Sequence, residues 1–328
     1  MPEPQPVIAP PASATVFLVA AIGPGGLQTV RAVLENVSAL RRSVAFRSPG
    51  DELTCVVSIG SQAWDRLFSG PRPRDLHPFV ELTGEKHRAP STPGDLLFHI
   101  RAGRMDLCFE LARLLMEQLR HCVSVVDEVH AFRYFDERDL LGFVDGSENP
   151  EGQLAADSVF IGAEDPGFHG GSYVTIQKYL HDLTAWNLLP TDEQEKAIGR
   201  TKSDNVEFPD DIKTEDAHIA VNSVTDEDGT ERKIVRENMP FGAVGQGEFG
   251  TFFIGYSRTP DVTEQMLRNM YLGTRAGLHD RILDFSTAVT GCLFYTPTAD
   301  FLDDLPTAPR PAHSSKGFPE IRSLKGTA

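Results

Sequence analysis

The order of apolar segments repeats once along the chain of 328 residues. In the first half, a run rich in β-branched residues at 15–22 predicts a buried strand, and a strand–helix–strand series follows at 96–135. The second half repeats this order, with a strand at 172–180 and a strand–helix–strand series at 251–295. The offset between matching segments stays at about 155 to 160 residues, which indicates a duplicated domain.

Each half is predicted to be an α+β domain. Short strands separated by amphipathic helices, with few tight βαβ units, favour antiparallel sheets with helices packed on one face. The predicted fold class is therefore α+β, with duplicated ferredoxin-like domains and antiparallel sheets of the dimeric α+β barrel type. The predicted divisions are a disordered arm at 1–13, two domains at 14–137 and 138–300, and a linker with a targeting peptide at 301–328.

Other segments carry predictions that depend on short local patterns. The segments 43–47 and 282–295 are predicted to be strands, as is the stretch 218–221, which His218 begins. Residues 70–94 are rich in proline and have few periodic apolar positions, which predicts a long loop. A polar insertion at 191–246 distinguishes the second half from the first, and function is often carried by such insertions.

Composition narrows the class of protein. Lys and Arg number 31 against 47 Asp and Glu, and a net charge of −16 repels a phosphate backbone, so no nucleic-acid partner is expected. Cys55, Cys108, Cys122 and Cys292 form no CxxC pair and lie in apolar runs, which favours buried free thiols over disulfides or zinc. The start of the chain lacks the pattern of a secretory signal, and no apolar run is long enough to span a membrane. We therefore expect a cytoplasmic protein.

An acidic, glycine-containing stretch at 142–150 follows an apolar pair. It contains Asp145 and Gly146 and ends at Pro150. Asp-Gly is a common turn dipeptide, so the stretch is consistent with a surface turn. It is also consistent with a carboxylate held in a dry pocket, because the glycine lets the backbone approach a ligand closely. The residue types leave both interpretations open.

His218 and the extended segment 234–242 supply further candidates. No second histidine lies at a metal-pair spacing such as HxxxH, so a metal on His218 would have one protein ligand and would be an iron held mainly by a macrocycle. Arg236 and Asn238 are two apart on an extended segment and therefore share a face. Together they could polarise a small oxygen ligand, or they could form a solvated strand edge.

Several motifs together resemble the dye-decolorising peroxidases, particularly their B class. The stretch 142–150 resembles the GxxDG signature of that family, with Ser147 where the family more often has threonine. The other similar segments are 92–100, 139–143, 236–242, 255–256 and 280–287, and the resemblance covers roughly residues 14 to 300. It implies an enzyme with one heme b per chain that reduces hydrogen peroxide through a high-valent iron-oxo intermediate and oxidises dyes, phenolics or other donors. A homo-oligomer is also expected.

The resemblance assigns the site residue by residue. His218 matches the proximal iron ligand, and Asp280 is the implied acceptor for its second ring N–H, with Asp284 and Glu215 as competitors. The distal residues, which would move the peroxide proton and stabilise the departing oxygen, are Asp145, Arg236 and Asn238. Further heme contacts are implied for Gly146, Ser147, Glu148, Arg200, Lys202, Arg236 and Phe253. Candidate electron carriers to bulky dyes are Trp64, Trp186, Tyr179 and Tyr256.

The end of the chain changes character. Residues 306–319 are rich in proline, alanine and serine, which predicts a flexible linker. The segment 320–326 is similar to the peptide that loads some of these peroxidases into encapsulin shells, with Ile321 and Leu324 as apolar anchors and Arg322 in place of an expected glycine. A disordered end with chance apolar residues is the alternative. The expected partner is thus an encapsulin shell, bound through 321–326, and the expected location is inside that compartment.

Two other functions remain open from the sequence. One is a heme-handling protein, similar to a deferrochelatase, that binds or demetallates heme without turnover of peroxide. The other is a non-enzymatic α+β binding module without heme. Bleaching of a dye that depends on peroxide separates the first alternative from a peroxidase, and the heme absorption spectrum separates the second.

Overall fold

The computed structural model describes residues 2–146 and 148–309. The elements of the first half are β1 (Ala14–Ile22), α1 (Leu27–Ala45), β2 (Thr54–Gly60), α2 (Ser61–Leu67), β3 (Leu82–Thr83), β4 (Arg88–Ala89), β5 (Leu96–Ala102), α3 (Met105–Leu119) and β6 (Val123–Phe132). Those of the second half are α4 (Gly152–Val159), β7 (Ser172–His181), α5 (Leu183–Leu188), α6 (Thr191–Ile198), α7 (His218–Asn222), β8 (Val235–Ala243), β9 (Glu248–Ser257), α8 (Pro260–Leu272), β10 (Ser286–Ala288), β11 (Cys292–Thr296) and α9 (Ala299–Asp303). Across these two ranges, no helix combines the length and the apolar character that crossing a membrane requires.

Both halves have the same strand order. The first half is ordered β6-β1-β5-β2 and the second β11-β7-β9-β8, and all neighbouring strands are antiparallel. If the four strands of each half are numbered by their order along the chain, both sheets have the strand order 4-1-3-2, which is that of a ferredoxin-like domain. The two halves join through β2 and β11, where Ile59 lies opposite Tyr295. The predicted duplicated, antiparallel α+β fold is therefore confirmed, and the proposed boundary at 137/138 lies between β6 and α4.

The sheet is buried on both faces. On β1, Val16 and Leu18 pack with the helices, whereas Phe17 belongs to a second apolar cluster enclosed between the halves. The ring of Phe17 stacks on that of Phe252 from the second half, with 4.0 Å between centroids. Strands β6 and β8, at the two ends of the strand order, also approach each other. Burial on both faces explains why β1 is continuously apolar rather than alternating.

Three predicted strands are wrong. The segment 43–47 is mostly the end of α1, because the apolar stripe of that helix continues at helical spacing as far as Val44. The segment 218–221 lies in the short helix α7, and 282–295 is divided into a 3₁₀ helix (Arg281–Asp284), β10 and β11. Short apolar runs suit a helix and a strand equally, and tertiary packing decides between them. The loop at 70–94 is confirmed, apart from the two-residue strands β3 and β4.

The cysteines are free, as predicted. Cys55, Cys108 and Cys292 are buried, and Cys122 is partly exposed. Burial raises the pKa of the Cys55 and Cys108 thiols to about 12 and that of Cys292 to about 11. These three thiols are therefore protonated and act as small apolar side chains.

Candidate functional site

A large cavity lies in the second half, between the strands β7–β9 and a wall formed by α7, α8, the 3₁₀ helix and the loop before α4. Its empty space, including the open mouth, is about 1090 Å³. The predicted site residues in its wall are Asp145, Glu148, Arg200, His218, Arg236, Asn238 and Phe253. Tertiary structure thus brings together residues that lie more than a hundred positions apart in the sequence.

His218 is held in a defined orientation. It begins α7, within the polar insertion that replaces α1 in the second half. Its Nδ1 lies 2.7 Å from Asp280 Oδ2, and the carboxylate is fully buried. The amide of Asn222 donates to the main-chain oxygen of His218 at 2.8 Å, while Ile282 N donates to Asp280 Oδ1 at 3.1 Å. The carboxylate thus favours the Nδ1–H form of the imidazole and leaves Nε2 basic.

The structure distinguishes Asp280 from its two competitors. Asp284 Oδ1 instead contacts His87 and His279, at 2.9 and 3.0 Å, and Glu215 pairs with Arg275 at 2.7 Å. Asp280 is therefore the acidic partner of His218.

Asp145 and Arg236 face each other at the cavity. Arg236 Nη2 lies 3.9 Å from Asp145 Oδ1, which is too long for a hydrogen bond but close enough for a strong electrostatic attraction. Their side chains are 26% and 20% exposed, so water screens the pair only partly. Asn238 shares the face of Arg236 on β8 and lies opposite Phe253 on β9. A cation, an amide and a carboxylate thus border one space, and the shared face of Arg236 and Asn238 is the one that the extended pattern predicted.

The backbone of the loop at Asp145 is fixed locally. Asp145 N donates to Glu137 O at 2.9 Å, and Gly146 N donates to the Asp145 carboxylate at 2.7 Å. Gly146 has a φ of +78°, in the left-handed region that a side chain would disfavour. The glycine therefore permits the turn that directs Asp145 to the cavity.

Asn149 is a site residue that the sequence reasoning missed. Its Nδ2 donates to Arg236 O at 2.7 Å, and its Oδ1 accepts from Arg236 N at 3.0 Å. Strand β8 ends the strand order, so this edge of its backbone is not paired with another strand. One side-chain amide satisfies both edge groups and ties the Asp145 loop to the strand that carries Arg236. Asn149 lies within the stretch 142–150 that contains Asp145, but the sequence did not show that it bonds to the backbone of Arg236.

Two further polar groups in the wall were also missed. His181 contacts hydroxyls through both ring nitrogens, Ser286 Oγ at 2.8 Å and Thr251 Oγ1 at 2.9 Å, and burial lowers its pKa to about 4. It is therefore neutral, and neither ring nitrogen is available to a metal. Removal from water raises the pKa of Asp139 to about 7, although Phe143 N donates to its carboxylate at 2.9 Å.

Some predicted residues lie elsewhere. The Lys202 ammonium donates to Gln194 Oε1 at 2.6 Å and does not line the cavity, so its assignment as a heme contact has no geometric support. Arg200 Nη2 does line the cavity region but is paired with Glu148 Oε1 at 2.9 Å. Ser147 lies outside the described residues.

The four aromatic candidates for electron transfer are placed differently. Tyr179 is in the cavity wall, and its hydroxyl donates to Gln177 Oε1 at 2.6 Å. Trp186 is fully buried one layer behind the wall, where its Nε1 donates to Leu141 O at 2.9 Å. Trp64 and Tyr256 do not line the cavity. Tyr179 is thus the candidate with direct access to a ligand.

The donor set suits an iron macrocycle. Within the described ranges, His218 Nε2 has no hydrogen-bond partner, and this ring lines the cavity. Apolar side chains form much of the wall, as a planar macrocycle requires: Leu141, Phe143, Ile219, Ile234, Met266, Leu267, Met270 and Ile282. Arg200 offers a cationic group for an acidic substituent. One basic imidazole nitrogen in an apolar cavity matches heme better than it matches a bare divalent ion, which needs more protein ligands.

The chain is similar to known proteins of one family. Residues 4–133 and 136–301 match the family models for the N-terminal and C-terminal parts of Dyp-type peroxidases. The chain is 60% identical over 327 residues to the dye-decolorizing peroxidase of Mycobacterium tuberculosis, a match that covers 99% of this chain and 98% of the relative.

Two solved structures are also similar. The encapsulated DyP-type peroxidase from Mycobacterium smegmatis, determined by cryo-EM, is 59% identical with a TM-score of 0.93, covering 94% of this chain and 100% of that chain. A variant of DypB from Rhodococcus jostii RHA1 in complex with heme is 54% identical with a TM-score of 0.90, covering 92% and 97% of the two chains.

Proposed function

The chain belongs to the Dyp-type peroxidase family and is an enzyme, and we propose that its cavity binds one heme b through His218 and reduces hydrogen peroxide there. The reducing substrate would be a dye, a phenolic compound or another electron donor. The observation that carries the proposal is the placement of the His218–Asp280 pair and of Asp145, Arg236 and Asn238 around one apolar cavity. The heme complex of a relative with the same fold supports it.

On the proximal side, His218 would hold the iron through Nε2. The buried Asp280 carboxylate accepts the Nδ1 proton in a hydrogen bond of 2.7 Å, which orients the ring and makes Nε2 a stronger electron donor. When bound, the heme supplies a redox-active iron with a coordination position for peroxide. Asp280 is a positioning residue, because it acts through His218.

On the distal side, peroxide must lose a proton from one oxygen and gain one at the other before its O–O bond breaks heterolytically. Asp145 would accept the proton at a carboxylate oxygen and return it to the departing oxygen, which leaves as water. Arg236 would stabilise the negative charge that develops on that oxygen, and its guanidinium lies 3.9 Å from the Asp145 carboxylate. Asn238, on the same face of β8, would orient peroxide by hydrogen bonding. The reducing substrate then restores the electrons used in the cleavage.

The proposed function is tested with heme-loaded protein and peroxide. One equivalent of hydrogen peroxide should change the heme absorption spectrum, and addition of a dye should restore the spectrum while the dye is oxidised. Free heme at the same concentration is the control. A spectrum that peroxide leaves unchanged, or release of iron from the bound heme without oxidation of the dye, would overturn the proposal and favour heme handling.

The Asn149→Ala variant is expected to react with peroxide about ten-fold to a hundred-fold more slowly while still binding heme. The reason is that Asn149 holds the Arg236 backbone through two hydrogen bonds and so fixes the distance from Arg236 to the Asp145 loop. Stopped-flow rates measure the effect. Asn149→Asp is the matched control, because it keeps the acceptor and loses the donor, and an intermediate rate is expected. A wild-type rate for Asn149→Ala would show that the amide is dispensable.

We also propose that an encapsulin shell is a partner. Two observations support this: the similarity of 320–326 to a cargo-loading peptide, and the close structural match to a peroxidase that is encapsulated. The peptide lies outside the described residues, which continue to residue 309, shortly after α9. Its anchors would be Ile321 and Leu324, and the proline-rich segment before them would let the folded body stand clear of the shell wall. Homo-oligomerisation stays a prediction.

Deletion of 317–328 is expected to abolish co-purification with a co-expressed encapsulin, because it removes both apolar anchors. Deletion of Thr327 and Ala328 alone is the matched control and should leave loading unchanged. Arg322→Gly should load as well as the wild type or better, since it restores the residue expected in such peptides. Equal encapsulation of the 317–328 deletion and the wild type would contradict the proposal. The rate of reaction with peroxide, measured for both proteins, shows whether the deletion variant is folded.

A further inference from the structure

A second group of possible metal ligands lies outside the cavity. His87 Nε2 and His279 Nε2 lie 2.9 and 3.0 Å from the same oxygen, Asp284 Oδ1. All three ligand atoms lie within 4.8 Å of one another. The two rings are tilted by 53° with centroids 4.8 Å apart, so they converge on the carboxylate and do not stack. We propose that His87, His279 and Asp284 bind a divalent transition metal ion, with Zn²⁺ as the best match.

The ligand types favour this class of ion. Two imidazole nitrogens and one carboxylate oxygen form a common three-residue zinc site, in which water completes a tetrahedron. Bonds of about 2.0–2.1 Å from zinc to its ligands place the ligand atoms of such a tetrahedron about 3.3 Å apart. The distances from Asp284 Oδ1 to the two imidazole nitrogens, 2.9 and 3.0 Å, are within a few tenths of an ångström of this value. Mg²⁺ and Ca²⁺ prefer all-oxygen sites and are disfavoured. Each imidazole would carry its proton on Nδ1 when Nε2 binds the ion.

The backbone holds the three residues in place. His87 O accepts from Gly84 N at 2.9 Å in the turn between β3 and β4. A Cβ on Gly84 would lie 2.0 Å from Tyr271 O, so only glycine lets this turn pack so closely against the end of α8. Asp284 is the last residue of the 3₁₀ helix that Asp280 caps. An ion would therefore link the first half of the chain to the segment that carries the partner of His218.

Charge and access are also suitable. Asp284 supplies a carboxylate oxygen, the acidic ligand of the three, within hydrogen-bond distance of both imidazoles. The side chains of His87, His279 and Asp284 are 20%, 18% and 37% exposed, and an ion can reach them from solvent. Without an ion, Asp284 would simply accept hydrogen bonds from the two imidazoles. Metal binding distinguishes these arrangements.

The test is a zinc titration of chelator-treated, heme-loaded protein, because bound heme keeps His218 Nε2 from competing for zinc. Calorimetry should show one ion per chain, and zinc should raise the midpoint of thermal unfolding, since the ion binds only the folded arrangement. Asp284→Asn keeps the side-chain shape but loses the charge, and it should weaken zinc binding by at least about ten-fold. His279→Ala should do the same.

The control is His130→Ala. His130 also pairs with a carboxylate, Glu128 at 2.7 Å, but among the described residues no second imidazole lies at that pair. Its loss should therefore leave zinc binding unchanged. Anomalous diffraction at the zinc edge should locate the ion between His87, His279 and Asp284 without any variant. The proposal would be overturned if calorimetry did not show one zinc ion bound per chain, or if diffraction located the ion elsewhere. Wild-type zinc affinity in Asp284→Asn would also overturn it.

Discussion

In His218→Ala, the Soret absorption of the heme-loaded protein is expected to be lost. His218 supplies the basic Nε2 in the cavity, and the other histidine of the wall, His181, has both ring nitrogens occupied by hydroxyls. No second imidazole there can replace the missing ligand among the residues that the structure describes. The apolar wall would still retain some heme, but without an axial nitrogen that population should have a different spectrum.

Three controls define this result. His181→Asn should keep the Soret band, because this residue holds no metal. Added imidazole should restore part of the band in His218→Ala by entering the space that the side chain leaves. Asp280→Asn should retain heme but raise the iron reduction potential, since a neutral amide makes the imidazole a weaker electron donor. An unchanged Soret band in His218→Ala would refute the assignment of the axial ligand.

Arg236→Leu is expected to slow the reaction with peroxide by about 10²–10³, the loss typical of removing one preorganised donor to a developing oxyanion. Asp145→Ala should slow it less. The reason is that Asp139 also lines the cavity. Removal from water raises the pKa of Asp139 to about 7, and the nearby charge of Asp145 contributes to this increase. At neutral pH part of the Asp139 population is ionised and can accept a proton in place of Asp145. Arg200, the other arginine in the described part of the wall, is paired with Glu148 Oε1 at 2.9 Å and is therefore a poor substitute for the charge of Arg236.

Stopped-flow rates at equal heme content measure the ranking. The double variant Asp139→Asn/Asp145→Ala should react more slowly than Asp145→Ala alone, a difference that a purely structural role for Asp145 would not produce. Arg232→Leu is the matched control for Arg236→Leu, because Arg232 is also 26% exposed but pairs with Asp261 at 2.7 Å. Its rate should equal that of the wild type. A larger loss in Asp145→Ala than in Arg236→Leu would contradict the proposed division of roles.

The site was predictable where the residues carried the chemistry in a recognisable order. The motif around Asp145, the histidine in the polar insertion and the same-face pair Arg236 and Asn238 are all visible in the sequence, and the structure brings them to one cavity. Lys202 does not line the cavity, and its ammonium contacts the nearby amide of Gln194. Sequence patterns specify residue types well but do not specify which of several neighbours a long side chain will contact.

The duplicated α+β architecture was predictable from the sequence, because the hydrophobic periodicity of strands and helices recurs at a nearly constant offset. The hydrogen-bond partners of the site residues became known only from the folded structure. Asp280 lies 62 residues from His218, Asn149 lies 87 residues from Arg236, and Asp284 lies 197 residues from His87. Such pairs form because packed strands and turns bring distant backbone positions within hydrogen-bond range, and this proximity has no local pattern. For the same reason, the short helix that begins at His218 was predicted as a strand.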